Sequence, residues 1–177
     1  MSGRRTYPIW IARDYASCSG CRRCEVICSL FHEGKIWPEA SRIRVFSLIP
    51  TVDIPHLCAQ CDDAPCVSSC PVGALSINTE TGAIIVDKDQ CTGCGNCIGA
   101  CPGKVPVIHP ANKHALICDL CDGDPQCVKV CQAGGHNALW VVKKVPSPSY
   151  KLYAKKPIEI SKNLARKFYG SIAEGLM

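Results

Sequence analysis

Sixteen of the 177 residues are cysteine, and they fall into four groups of four. The first is Cys18, Cys21, Cys24 and Cys28, with two, two and three residues between successive members. The second is Cys58, Cys61, Cys66 and Cys70, with gaps of two, four and three, followed by Pro71. The third is Cys91, Cys94, Cys97 and Cys101, with gaps of two, two and three, followed by Pro102. The fourth is Cys118, Cys121, Cys127 and Cys131, with gaps of two, five and three, followed by Gln132. No cysteine is left over.

The third group and its proline form the bacterial ferredoxin run for a [4Fe–4S] cubane. A cubane has four iron corners, and each takes one thiolate. Three closely spaced cysteines wrap three corners of one cluster. The fourth, three residues on, is expected to start a short helix, point away and serve the other cluster of a pair. Gly20, Gly93 and Gly95 are small enough to bring backbone amides near the cluster sulfides. Zinc fits less well, because its sites show two Cys-x2-4-Cys pairs on separate arms and need no trailing fourth cysteine. A disulfide scaffold belongs to oxidising compartments. The N-terminal stretch has Arg4-Arg5, then a short apolar run broken by Arg13 and Asp14. That is no signal peptide, so the expected location is the cytoplasm. The longest apolar runs are also far too short to span a bilayer. With every cysteine assigned to a metal, no nucleophile is left for thiol catalysis.

Leu, Ile, Val and Phe number only 42. That is a thin supply for a chain of this length, so metal sites must replace part of the core. The groups form an internal repeat. Residues 74–77 and 82–86 flank a polar turn and predict a β-hairpin. Residues 7–12, 43–48 and 137–142 predict further strands, and short helices follow each third cysteine. The expected class is α+β: a tandem bacterial-ferredoxin-like (polyferredoxin) fold of small antiparallel sheets, short helices and four [4Fe–4S] clusters. A body over 1–145 has an outer half from groups one and four and an inner half, 53–110, from groups two and three. Residues 146–177 form a basic arm.

The order of the groups resembles the four-cluster ferredoxin-like electron-transfer subunits that accompany molybdenum and tungsten pterin enzymes and some hydrogenases. The segments from Cys58 to Cys66 and from Cys118 to Cys121 carry the likeness. The short 2-5-3 spacing of the fourth group and the tail from Tyr153 resemble the small subunits that partner tungsten enzymes of the aldehyde:ferredoxin oxidoreductase family. That group includes aldehyde oxidoreductases and the tungsten class of benzoyl-CoA reductase. The resemblance implies that the groups pair first with fourth and second with third. One cluster then takes Cys18, Cys21, Cys24 and Cys131, and its neighbour takes Cys28, Cys118, Cys121 and Cys127. A third takes Cys58, Cys61, Cys66 and Cys101, and the last takes Cys70, Cys91, Cys94 and Cys97. It further implies a non-catalytic subunit that relays single electrons. Its partners would be a large tungsten (or molybdenum) pterin catalytic subunit and a donor or acceptor such as a ferredoxin or a flavin subunit. The alternatives are a subunit of a formate dehydrogenase or hydrogenase, and a free-standing polyferredoxin. Gln132, where proline is usual, departs from the pattern.

The remaining features have plainer readings. Apolar Ile160, Leu164, Phe168 and Ile172 fall on one helical face, with Lys162, Arg166 and Lys167 off it. This predicts an amphipathic helix, read first as docking on a partner subunit and second as folded back on its own domain. A basic face without interleaved aromatics gives no nucleic-acid platform. His32, His56, His109, His114 and His136 are read as structural, with His56 and His136 near enough to ligands to tune potential. Trp10, Trp37 and Trp140 are read as core filling. Asp62-Asp63 and Asp122-Gly123-Asp124 are read as solvated turns. Residues 1–142 carry twelve Lys and Arg against thirteen Asp and Glu, and residues 143–177 carry eight against two. Four oxidised cubanes, each roughly −2 with its thiolates, would turn the chain's +5 into about −3.

Overall fold

The computed structural model describes residues 7–145, 150 and 153–176. In chain order its elements are β1 (Ile9–Arg13), α1 (Arg23–Glu33), β2 (Arg44–Ile49), β3 (Val52–His56), α2 (Pro65–Ser68), β4 (Leu75–Ile77), β5 (Ile84–Val86), α3 (Asn96–Ala100), β6 (Val107–Ile108), β7 (Ala115–Leu116), α4 (Gln126–Ala133), β8 (Leu139–Lys143) and α5 (Pro157–Tyr169). The strands pair as four two-stranded antiparallel sheets: β1 with β8, β2 with β3, β4 with β5, and β6 with β7. This is the expected α+β ferredoxin-like architecture. The β1–β8 pair, with Ile11 opposite Val141, closes the two ends of the body on each other.

Each of the first four helices begins one residue before the third cysteine of its group. Their ends differ for a reason visible in the sequence. Cys70 and Cys101 each precede a proline, whose ring disfavours helical backbone in the residue before it. Accordingly α2 and α3 run only four and five residues, and Cys101 is extended, at φ −72° and ψ 121°. Cys28 and Cys131 precede Ser29 and Gln132 instead, so α1 and α4 continue for eleven and eight residues. The Gln132 departure therefore lengthens a helix and leaves Cys131 on it.

The core is split in the same way. The outer half buries Ile9, Ile11, Ile43, Val45, Leu57, Leu120, Val128 and Leu139 around its cysteines, with α1 packed on α4. The inner half has a smaller nucleus, Ala64, Leu75, Ile84, Ala115 and Ile117 with Cys66 and Cys97, where α2 meets α3.

Four findings differ from the sequence reading. First, α5 forms, but only part of its apolar face is covered by the chain itself, and Phe168 and Ile172 stay exposed. Ile160, Leu164 and Ala165 pack on Ile49, Val52 and Ile54 of the β2–β3 hairpin. The Tyr169 hydroxyl also donates to the Pro50 carbonyl at 3.3 Å. The helix supplies the cover that this face of a lone hairpin lacks. Lys162, Arg166 and Lys167 stay exposed. The first residues of the expected arm, 146–149, lie outside the described residues. Second, β3 holds Pro55 opposite Val45. A proline is tolerated there because a two-stranded sheet has only edges. Third, Trp140 is 39% exposed on the outer face of β8, so it does not fill a core as expected, whereas Trp10 is buried. Fourth, β6 and β7 are too short to leave a sequence signal.

Candidate metal centres

The residue before the second cysteine of every group is left-handed: Gly20 at φ 68°, Gln60 at 49°, Gly93 at 68° and Leu120 at 59°. One backbone turn is thus built four times, with glycine in only two of the copies. Turns of this kind form concavities of N–H groups that suit anionic ligands. Backbone N–H groups donate to cysteine sulfur from Arg42 to Cys28 at 3.3 Å, Gln60 to Cys58 at 3.4 Å, Val105 to Cys101 at 3.5 Å and Ala115 to Cys91 at 3.3 Å. At Gly93 the turn is tight as well as left-handed. A Cβ there would sit 2.0 Å from the Lys113 carbonyl oxygen.

The third and fourth cysteines of a group are four residues apart. On α1 and α4 that places them on one helical face, about 6 Å apart along the axis, whereas Cys70 and Cys101 lie beyond the ends of α2 and α3. In every group the two open into different cavities. One cavity is lined by Cys18, Cys21, Cys24 and Cys131, with about 340 Å³ of empty volume. A second is lined by Cys28, Cys118, Cys121 and Cys127, with about 290 Å³. A third is lined by Cys58, Cys61, Cys66 and Cys101, with about 400 Å³. The fourth is lined by Cys70, Cys91, Cys94 and Cys97, with about 310 Å³. The remaining walls are largely apolar, among them Leu139, Ile43, Ile117 and Leu75 respectively.

These cavities suit a polynuclear cation. Burial pushes the Cys24, Cys58 and Cys121 thiols up to about 12 and Cys66 up to about 11. Cys118 and Cys127 go well above the ordinary thiol value for the same reason. Sulfurs from the paired group add to the effect, Cys101 on Cys66 and Cys28 on Cys121 and Cys127. Four thiolates are sustained in such a space only when a cation displaces their protons.

The cavities differ in exposure. Cys21 in the first and Cys94 in the fourth are exposed, while no cysteine of the second or third is. The second and third also adjoin: the Gln60 side-chain amide, beside Cys58 and Cys61, donates to the Cys118 carbonyl at 2.9 Å.

One histidine that no motif singled out meets a cysteine sulfur. His32 Nε2 lies 3.7 Å from Cys121 Sγ and 3.4 Å from the Asp119 carboxylate. Its signal was only its place on the helix of group one, which the α1–α4 packing carries to group four. His136 lines the first cavity and bonds Ser19 at 3.2 Å. His56 turns to the Gly103 carbonyl at 2.9 Å. His109 accepts from the Ala111 and Asn112 amides at Nδ1, which sets Nε2 as the donor to Glu33. The acidic insert of group two is held in place, with Asp62 ion-paired to Lys144 at 2.8 Å. In the fourth group Asp124 pairs with Lys129.

Comparisons with known proteins agree with this chemistry. The family described as 4Fe-4S dicluster domain matches residues 51–139. The polyferredoxin-like subunit of the aliphatic sulfonate oxidoreductase of Pyrococcus furiosus is 53% identical over 162 residues, covering 92% of this chain and 94% of the relative. Protein NrfC of Escherichia coli is 34% identical over 136 residues, covering 68% of this chain and 60% of NrfC. A chain in the active-site complex BamBC of benzoyl coenzyme A reductase is 26% identical, with 94% of both chains covered, at a TM-score of 0.46. That last likeness is too loose to carry an argument.

Proposed function

Since this chain belongs to the 4Fe–4S dicluster family, as an iron–sulfur electron-transfer subunit of an oxidoreductase complex, we propose that it holds four [4Fe–4S] clusters in a row. They would relay single electrons between a tungsten-pterin catalytic subunit and an external redox partner, a ferredoxin or a flavin subunit. Bound clusters supply reversible one-electron chemistry at potentials set by burial and hydrogen bonds to sulfur. The chain's residues do the rest. The ligands are the four cross-paired sets: Cys18, Cys21, Cys24 and Cys131; Cys28, Cys118, Cys121 and Cys127; Cys58, Cys61, Cys66 and Cys101; and Cys70, Cys91, Cys94 and Cys97. The observation that carries this reading is four cavities, each lined by four cysteines drawn from two groups.

The i, i+4 steps on α1 and α4 join the first site to the second, and those at α2 and α3 join the third to the fourth. Gln60 joins the second to the third. Electrons enter and leave at the ends, where Cys21 and Cys94 meet the surface. The ligands of the second and third sites are all at least partly buried, which limits water there.

A subunit role is favoured over a free-standing polyferredoxin by the Pyrococcus relative, itself a subunit and matched over nearly its whole length. The same relative makes an aliphatic sulfonate the first substrate class to offer the catalytic partner, ahead of an aldehyde or an aromatic thioester. Among the described residues no helix is long and apolar enough to cross a membrane, and the proposed location is the cytoplasm. The body over 1–145 and the C-terminal segment that covers it are proposed as the domain division.

The test is anaerobic purification with metal analysis. About 16 iron atoms per chain, and co-purification of a large tungsten-containing subunit, are expected. Zinc in place of iron, or iron with no catalytic subunit bound, would contradict the cluster reading and the partner reading respectively.

A further inference from the structure

Arg13, at the end of β1, is only 4% exposed. Its Nη1 donates to the Leu57 carbonyl at 3.0 Å, and Nη2 donates to the Cys58 carbonyl at 3.4 Å. Nε has no partner. Trp10 and Tyr153 each place a ring centroid 5.4 Å from its guanidinium carbon. Among the described residues, no carboxylate forms an ion pair with it. A guanidinium keeps its charge in a protein, and an unpaired buried charge is costly. A fold that keeps one needs a counter-charge. Its Nη2 contact places the guanidinium against Cys58 of the third site, and Gln60, two residues on, ties the same turn to Cys118 of the second. Neutral thiols supply no such charge, but metal-bound thiolates do.

Resting on the cluster reading above, we propose that Arg13 is the shared counter-cation of the second and third sites, raising the reduction potential of both. It touches no electron-carrying atom, so it is a positioning and tuning residue. Each one-electron reduction adds one negative charge to a site, the electron coming from the redox partner. A fixed positive charge between two such sites favours that step at both. Among the described hydrogen bonds of its guanidinium, none reaches a residue of the first or fourth site, so the effect there is expected to be smaller. Tyr153 gives the C-terminal segment a part in this. Its ring covers one side of the guanidinium, and Ala154 beside it lines the third cavity.

The test uses the full iron-loaded chain in an EPR-monitored potentiometric titration, with R13M, R13Q and R13K beside the wild type. R13Q keeps a donor for the carbonyls and R13K keeps the charge. In R13M and R13Q, two of the four midpoints should fall. The oxidised-to-reduced balance should change about tenfold at each, about 59 mV for one electron, while the other two move by less than half as much. R13K should keep all four near wild type. Loading of R13K but of neither neutral variant also supports the counter-charge. The proposal is overturned if a neutral variant holds wild-type iron with unmoved midpoints, or if all four move alike. It is equally overturned if R13K shifts as far as R13M or fails to load along with it, since the fork geometry would then matter and not the charge. A wild-type chain that takes up no iron would sink the cluster reading itself, whereas indifferent potentials at full iron sink only this inference.

Discussion

The outer and inner halves repeat one design with unequal support. In the outer half fifteen side chains form the buried nucleus, against seven in the inner half. With cysteines set aside, the inner half has only Ala64, Leu75, Ile84, Ala115 and Ile117. Its helices are short because prolines follow Cys70 and Cys101, and its β4–β5 sheet has three residues a side. The outer half has two longer helices packed together, the five-residue β1–β8 pair, and α5 laid over the β2–β3 hairpin. The same four-cysteine turn can therefore sit on an apolar core or stand in for one. In the inner half, ligand bonds must supply what burial does not.

The strongest way to break this comparison is to withhold iron. Hydrogen exchange of the iron-free reduced chain should show the amides of β4, β5 and α3 at unfolded rates, while β1, β8, α1 and α4 keep protection. Equal loss in both halves would remove the distinction. Next in size is G93A, which places a Cβ 2.0 Å from the Lys113 carbonyl at a φ of +68°. It should empty the fourth site alone, leaving about 12 iron atoms per chain. Retention of about 16 would show that the inner turn yields more than this geometry allows.

How much of this was legible in the sequence follows the range of the forces involved. Cysteine spacing is local, and it carried the four groups and the class of metal, but it set the helix starts too late: each begins one residue before the third cysteine. Pro71 and Pro102 carried the short helices. The cross-paired ligand sets came from family resemblance, since spacing alone leaves the partner of each fourth cysteine open. Arg13 was invisible: one charge after an apolar run looks like a strand end, and only the fold puts Leu57 and Cys58 around it. His32 gave no sign for the same reason, because Cys121 is 89 positions away. The periodicity of 160–172 did reveal an amphipathic helix. It could not say which surface the helix covers, because a hairpin of the same chain and a groove on a partner ask for the same pattern.

Smaller perturbations sharpen the contrast. L139A removes a side chain 1% exposed in the outer nucleus and should cost about 2–5 kcal/mol. The loss should appear in thermal melts of both the iron-loaded and the iron-free chain. I84A, 2% exposed in the inner nucleus, should cost a similar amount only when iron is present, because that half is already open without it. The smallest effect belongs to K144A, which removes the Asp62 pair joining the second group's insert to the end of β8. Asp62 is partly exposed, so the loss should be about 0.2–1 kcal/mol by denaturant titration.

The central claim is that each cluster is held by cysteines of two groups. Anaerobic crystals measured at the iron absorption edge test it directly. The account predicts four compact anomalous peaks. One lies among Cys18, Cys21, Cys24 and Cys131, and the others lie in the three sets built the same way. Peaks each enclosed by the four cysteines of a single group, or fewer than four peaks in a fully loaded chain, would contradict it.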